Sequence, residues 1–301
     1  MNDLHLSRRV VLHVGAHKTA STAIQAAAHS HQDDALAVYS RQELESFDCW
    51  RNWSEKNWRT FASYLQTTYH ATILVSSEDL LGDFPQRYGN VEKLSVIVGA
   101  LTDAGFSVDI AFVVRAQDDW FRSTWIQLVQ SGYRISRDEW RRAALWTSPL
   151  AWSELITQIA DRGFPAQTHV FRYAPGVVES FFYDMFGLQV QASSEHKSLT
   201  ECAASLQLAA NYILPGARLK QRFRLLLIRW GGRVSCFPGH RLREWNCYLA
   251  RFWQQDLKRI IALESEGLIC WHDTPEVAPR RCLKSHGLQP EPIAETDDQV
   301  T

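Results

Sequence analysis

Eight consecutive residues, Gly15-Ala16-His17-Lys18-Thr19-Ala20-Ser21-Thr22, set a lysine and hydroxyl side chains between an apolar run, Val10–Val14, and an alanine-rich segment from Ser21 to His29. The run reads as a short buried strand that Gly15 ends, and the segment as a helix. A helix N-terminus leaves backbone N–H groups without partners, and its dipole favours negative charge. A strand–loop–helix junction of this kind is therefore a receptor for a phosphate or similar anion. Lys18 adds a mobile positive charge, and Thr19, Ser21 and Thr22 add hydroxyl donors. A nucleoside-triphosphate loop requires G-x-x-x-x-G-K-[ST]. Lys18-Thr19 satisfies its last pair, but His17 and Leu12 stand where both glycines belong. The shorter loop that remains suits one phosphate or a phosphosulfate.

Two other places carry residues suited to the same chemistry. Arg115 closes Ser107–Val114, the strongest strand in the chain, and Ser123 follows eight residues later in a helix. In an open parallel sheet ligands lie beyond the carboxyl ends of the strands. A guanidinium beside a hydroxyl is there a receptor for a second phosphate. By itself, Arg115 could equally pair with Asp118 or Asp119. Glu78 follows the strand Ala71–Val75 within Ser76-Ser77-Glu78-Asp79, at the same edge as Lys18. A carboxylate there can act as a general base. Asp79 is the better candidate for capping the next turn. His17 is a rival base inside the loop, whereas His13 alternates with core residues and reads as a satisfied buried histidine.

The loop and the Arg115/Ser123 pair together resemble the sulfotransferase superfamily, in particular its bacterial and carbohydrate-type members. The 5′-phosphosulfate loop of that family is written K-[TS]-G-[ST]-[ST] after a buried strand, and Lys18-Thr19-Ala20-Ser21-Thr22 follows it with Ala20 in place of glycine. If that position needs a positive φ, alanine costs about 1 kcal/mol. The 3′-phosphate element of the family is an arginine at a strand end with a serine eight residues on, as at Arg115 and Ser123; the proline that often follows the arginine is absent. The resemblance spans residues 8–175 in element order. It implies 3′-phosphoadenosine 5′-phosphosulfate as donor and adenosine 3′,5′-bisphosphate as product, with no metal. Catalytic roles would fall to Lys18, Glu78 and His17. Gly15, His17, Lys18, Thr19, Ala20, Ser21, Thr22, Arg115, Ser123 and Tyr173 would bind the donor, Tyr173 near the adenine or simply packed in the core. The acceptor it implies is a carbohydrate or another small molecule with a hydroxyl or amine. Two further readings stay open: a P-loop kinase or NTPase with a degenerate loop, and a non-catalytic nucleotide-binding protein. Arg280-Arg281 with Lys284 could form a basic lid or a solvated cluster, and Trp50, Trp53 and Trp58 could line an acceptor cleft or pack in the core.

The elements that must position these residues alternate. Strands are expected at 10–14, 36–40, 71–75, 107–114 and 168–173. Helices are expected at 21–29, partly within 43–70, at 91–104 with Gly105 as its stop, at 120–130 capped by Asp118 or Asp119, and at 152–160. From Leu199 the chain reads as helix at 199–213, 217–229 and 242–266. The fold class is α/β: a P-loop-like parallel sheet flanked by helices, with a mainly helical C-terminal part. One domain is expected over 1–272, with its sheet core in 8–175 and a helical cap in 176–272, followed by a loosely ordered tail at 273–301.

Composition sets limits on all this. The 301 residues include 32 Lys+Arg and 33 Asp+Glu, a net charge of −1, which argues against a nucleic-acid-coating protein. No apolar run has the length of a membrane span. The acidic start and the interrupted apolar stretch do not read as a secretory signal. The six cysteines show no C-x-x-C spacing, so they are expected as thiols in a cytoplasmic protein.

Overall fold

In a computed structural model, the protein is described over residues 8–31, 36–49, 54–82, 88–147, 151–191, 199–230 and 241–273. Its elements run β1 (Arg9–His13), α1 (Ser21–Ser30), β2 (Leu36–Tyr39), α2 (Arg41–Ser46), α3 (Glu55–Thr67), β3 (Thr72–Ser76), α4 (Leu94–Asp103), β4 (Ser107–Val114), α5 (Gln117–Gln130), α6 (Arg137–Thr147), α7 (Trp152–Gly163), β5 (Gln167–Arg172), α8 (Val177–Phe186), α9 (Glu201–Ile213), α10 (Ala217–Trp230), α11 (Arg241–Ser265) and β6 (Cys270–His272). Short 3-10 turns follow β3 and precede α4. The expected α/β class is what the structure shows. Six strands pair in the order β2-β3-β1-β4-β5-β6, all parallel.

The strands are apolar on both faces because both faces are covered. Their period of two divides the core into two layers. Leu12 of β1, Val75 of β3 and Phe112 of β4 face the larger layer, which includes residues of α3, α4, α5, α7, α9 and α11. Val11, Leu74 and Val113 face the smaller one, made with α1 and α8. Trp58 is fully buried against Phe61 in the larger layer, so it packs rather than lines a cleft; Trp50 and Trp53 lie outside the described residues.

Several boundaries differ from expectation. The helix after Arg115 starts at Gln117 with Ala116 as its N-cap, so Asp118 and Asp119 lie inside its first turn rather than capping it. There they favour the positive end of the helix dipole. The sheet also takes a strand from the part read as wholly helical: β6 pairs with β5, His272 matching Phe171. Its three residues are too short to show a period. The expectation of six thiols fails at Cys202, which is disulfide-bonded, while Cys49 and Cys270 are free. A disulfide needs only two Cβ atoms about 4 Å apart, which spacing along the chain does not reveal. The cytoplasmic location expected from six thiols loses that support. Among the described residues no helix is long and apolar enough to cross a membrane. The 273–301 tail, beyond Asp273, and the Arg280-Arg281/Lys284 cluster fall outside the described residues.

One carboxylate fastens α11 to α5 and α7. Asp256 of α11 is almost fully buried. It accepts hydrogen bonds from Gln117 Nε2 at 2.8 Å, from the backbone N–H groups of Trp152 at 2.7 Å and Ser153 at 3.1 Å, and from Ser153 Oγ. Ala151, the N-cap of α7, has no side chain able to do this, so α11 caps α7 from a distance in sequence of about a hundred residues. Replacing Asp256 by alanine strands these donors in the interior. We expect Asp256→Ala to lower the unfolding free energy by about 3 kcal/mol or more in denaturant titrations. Asp256→Asn, which keeps one acceptor oxygen, should cost less.

Candidate functional site

The carboxyl ends of β1, β3, β4 and β5 lie along one rim. β1 has β3 on one side and β4 on the other, and the chain changes direction across the sheet there. Such a switch point is where ligands sit in open parallel sheets. The loop after β1 opens onto it and makes two left-handed turns without glycine: Lys18 has φ 65° and Ala20 has φ 72°. Ala20 is the N-cap of α1 and offers no side-chain acceptor, and the first turn of α1 contains no acidic residue. The N–H groups at this end thus have no side-chain cap from Ala20, and the roughly 1 kcal/mol attached to alanine at positive φ is incurred.

The loop is held from its flanks. The Tyr88 hydroxyl accepts from the His17 backbone N–H at 3.0 Å, and Trp120 Nε1 donates to the His17 carbonyl at 3.0 Å. Thr19 is fully buried and its hydroxyl donates to the Ala16 carbonyl, so it ties the loop rather than facing a ligand. Thr22 is exposed on the second position of α1. Gly15 is required by contact, not by φ. A methyl group there would lie 2.6 Å from His13 Nε2 and 3.2 Å from Ser21 Oγ.

Ser21 Oγ belongs to a hydroxyl already expected as a donor, whereas His13 Nε2 is the atom that sequence reading missed. His13 and Ser21 are buried, and among the described residues neither His13 Nε2 nor Ser21 Oγ completes a hydrogen bond. His13 Nδ1 lies 2.8 Å from Ser76 Oγ, which also receives Gln25 Nε2 at 3.2 Å. Among the described residues the Ser76 proton has Nδ1 as its acceptor. Hydrogen-bond accounting therefore assigns the ring proton to Nε2, the atom packed closest over Gly15. Burial lowers the His13 pKa to about 4, so the donor is a neutral imidazole. The only signal in the sequence was the Gly15 that follows His13 two residues on.

Glu78 opens the 3-10 turn after β3. Burial raises its pKa first of all; His17, Ser21 and Lys18 act in the opposite direction and Asp79 reinforces the rise. Ser21 is close enough to favour the carboxylate without completing a hydrogen bond. Lys18 has its pKa lowered by burial, with Glu78 opposing and Arg115 reinforcing. His17 Nε2 stands 3.6 Å from both Glu78 Oε2 and Asp79 Oδ1. Asp79 does not cap the turn: the Ser77 hydroxyl accepts from the Asp79 backbone N–H, and the Asp79 carboxylate faces His17 and Arg41.

Arg115 Nη1 donates to the Lys18 carbonyl at 3.0 Å, and its guanidinium lies 4.4 Å over the Tyr173 ring. Its Nε is buried and has no hydrogen-bond partner among the described residues. The backbone holds this pair, since Tyr173 N–H donates to the Val114 carbonyl at 2.7 Å and Trp152 Nε1 to the Arg115 carbonyl at 2.7 Å. Asp119 pairs with Arg122 at 2.6 Å. Ser123 lies two turns into α5, half-buried, and makes no hydrogen bond to Arg115 among the described residues. The structure thus brings Lys18, Glu78, His17, Ser21, Arg115 and Tyr173 together at one rim. Among the described residues no group of three or more His, Cys, Asp and Glu side chains is placed to hold a metal ion.

No protein-family model and no curated protein matches the chain. Among solved structures, a chain from the PezAT chromosomal toxin–antitoxin system of Streptococcus pneumoniae is 12% identical, with 74% of this chain and 88% of that one covered and a TM-score of 0.29. A likeness that low carries no argument about fold or function.

The two loop positions make opposite demands, and substitutions should separate them. Ala20→Gly should raise stability by up to about 1 kcal/mol, by relieving the left-handed alanine. Gly15→Ala should lower it by about 1–3 kcal/mol, since the His13 ring must move. Denaturant unfolding of both variants measures the contrast. The depressed His13 pKa adds a pH signature. Below the unfolded value of about 6.5 the unfolded chain takes up a proton that the native state refuses until about pH 4. Stability from His13 is therefore present above that window and lost as pH falls through it, by about 3 kcal/mol in all. His13→Gln should flatten that slope.

Proposed function

We infer that the rim at β1 and β4 binds a phosphorylated nucleotide and, more specifically, that the protein transfers a sulfuryl group from 3′-phosphoadenosine 5′-phosphosulfate to a hydroxyl or amine, with a carbohydrate as the favoured acceptor. One observation carries the reading. Two separate anion receptors open on the rim, linked by the hydrogen bond from Arg115 to the Lys18 carbonyl. The first is the α1 end with Lys18, Ser21 and His13. The second is Arg115 stacked on Tyr173, a cation beside an aromatic ring that suits a phosphate next to a base. A donor with groups at both its 5′ and 3′ positions uses both receptors, whereas an ordinary nucleoside triphosphate has no 3′-phosphate for the second. The buried atoms Ser21 Oγ, His13 Nε2 and Arg115 Nε, which complete no hydrogen bond among the described residues, fit such a ligand.

In this reading Glu78 takes the proton of the acceptor as its oxygen or nitrogen attacks sulfur. The bond from sulfur to the phosphate oxygen breaks, and Lys18 with the α1 N–H groups stabilises the charge left on that oxygen. Burial suits Glu78 to the task, because a carboxyl held above its usual range is a stronger proton acceptor. His17, between Glu78 and Asp79, either orients Glu78 or shares the proton. Positioning and electrostatics supply the rate.

Calorimetry with adenosine 3′,5′-bisphosphate, against ADP with Mg²⁺, tests the nucleotide. Metal-free binding of the bisphosphate is expected, weakened about ten- to a hundredfold in Arg115→Ala through loss of a charged hydrogen bond. Preference for ADP with Mg²⁺, indifferent to Arg115, would replace this reading by a kinase or NTPase with a degenerate loop. Binding of the bisphosphate without turnover of any acceptor would leave a nucleotide-binding protein. For the chemical step, Glu78→Gln should lower kcat about 10²–10⁴-fold while leaving bisphosphate affinity near wild type. The wild-type rate should rise with pH as Glu78 loses its proton, with the acid limb above the ordinary carboxylate range.

A further inference from the structure

The longest stretch of the chain without an acidic residue lies outside the rim. Between Glu201 and Glu244 there is no Asp or Glu, and there are eight Lys and Arg, whereas the rest of the chain has 24 Lys and Arg against 33 Asp and Glu. The structured centre of this stretch is α10, about 21 Å long at 1.5 Å per residue. One side of α10 packs inward: Leu227 is buried, and Phe223 and Ile228 rest on the larger core layer. At 100° per residue, Arg218, Leu219, Arg222, Leu225, Leu226 and Arg229 fall within an arc of about 120° on the opposite side. All six are exposed, Leu225 by 55% and Leu226 by 54%.

Some surface arginines are paired within their own helix, and others, such as Arg162, Arg251 and Arg259, form no ion pair among the described residues. Arg41, Arg59 and Arg122 each pair with a carboxylate on their own helix. Among the described residues Arg218, Arg222 and Arg229 form no ion pair. Three arginines on one exposed arc, within a stretch of eight basic residues and no acidic one, favour an anionic partner. The three leucines among them narrow its chemistry. A nucleic-acid backbone gains nothing from leucine, and a second copy docked face to face would set arginine against arginine. A bilayer surface with anionic headgroups satisfies both, taking the leucines into the acyl boundary and the guanidinium groups at the phosphates.

We propose that α10 is a docking surface for an anionic lipid bilayer, on which it lies flat with Leu219, Leu225 and Leu226 inserted. This holds whatever the rim binds, since none of these residues belongs to it.

Co-sedimentation of the full chain with vesicles tests this, using phosphatidylcholine alone and phosphatidylcholine mixed with phosphatidylglycerol. Binding is expected to the mixed vesicles only. The triple variant Arg218→Gln/Arg222→Gln/Arg229→Gln should weaken it about a hundredfold, at roughly tenfold or less per charge. Leu225→Ser/Leu226→Ser should weaken it at least about tenfold through lost apolar insertion. Circular dichroism and thermal unfolding confirm that both variants fold. Failure to bind the mixed vesicles overturns the proposal. So does binding that needs the arginines, ignores the leucines and is competed by duplex DNA, which would mark a general polyanion surface. A dimer in light scattering that the leucine variant dissociates would overturn it in favour of a second copy.

Discussion

Because every strand runs parallel to β1, the ends of β1, β3, β4 and β5 open on the same rim, and nothing else in the fold has to arrange for that. An antiparallel neighbour would have sent Arg115 or Glu78 to the far edge of the sheet. The parallel constraint has a cost of its own, since each return must cross over a face of the sheet, and those crossovers cover both faces with helices. The two apolar layers are the result. Burial on both sides then removes the solvent from around His13, Ser21 and Glu78, which makes His13 neutral and raises the proton affinity of Glu78.

Within that frame the loop after β1 is settled before any ligand arrives. Tyr88 and Trp120 grip the two sides of the His17 peptide unit, Thr19 ties the loop to itself, and Gly15 yields the space that the His13 ring needs. Two left-handed residues without glycine show that this surrounding structure outweighs local preference. An anion meeting such a loop has little ordering left to cause, and preorganisation of this kind converts directly into affinity.

Much of this was legible in the residues. The strand periods, the loop chemistry and the Arg115 strand end gave the α/β class and the positions that meet at the rim, because each depends on local pattern. What was not legible depends on distance in space. His13 reads as a core histidine from its strand position, and only the close approach of Gly15 and the proton accounting at Ser76 expose its second nitrogen. Tyr88 and Trp120 carry no mark of their grip on His17. Asp256 looks like one more polar position on a helix, yet it caps another helix about a hundred residues earlier. Cys202 has no partner suggested by spacing. The left-handed angle at Ala20 contradicts what alanine prefers, which is why composition alone could not decide it.

The placement of β6 has a consequence for how the fold can vary. Since β6 lies beside β5, everything between them, α8 through α11, is topologically one long crossover inserted between neighbouring strands. A crossover can lengthen, shorten or be exchanged while the sheet and its rim stay as they are, because loop-closure entropy grows only slowly with length. Several fastenings limit that freedom: the β5–β6 pairing, the Asp256 cap on α7, and Asn211 of α9, whose buried amide donates to the Val129 and Tyr133 carbonyls. The exposed arc of α10 lies outside these ties, so it can diverge and couple one rim chemistry to different surroundings.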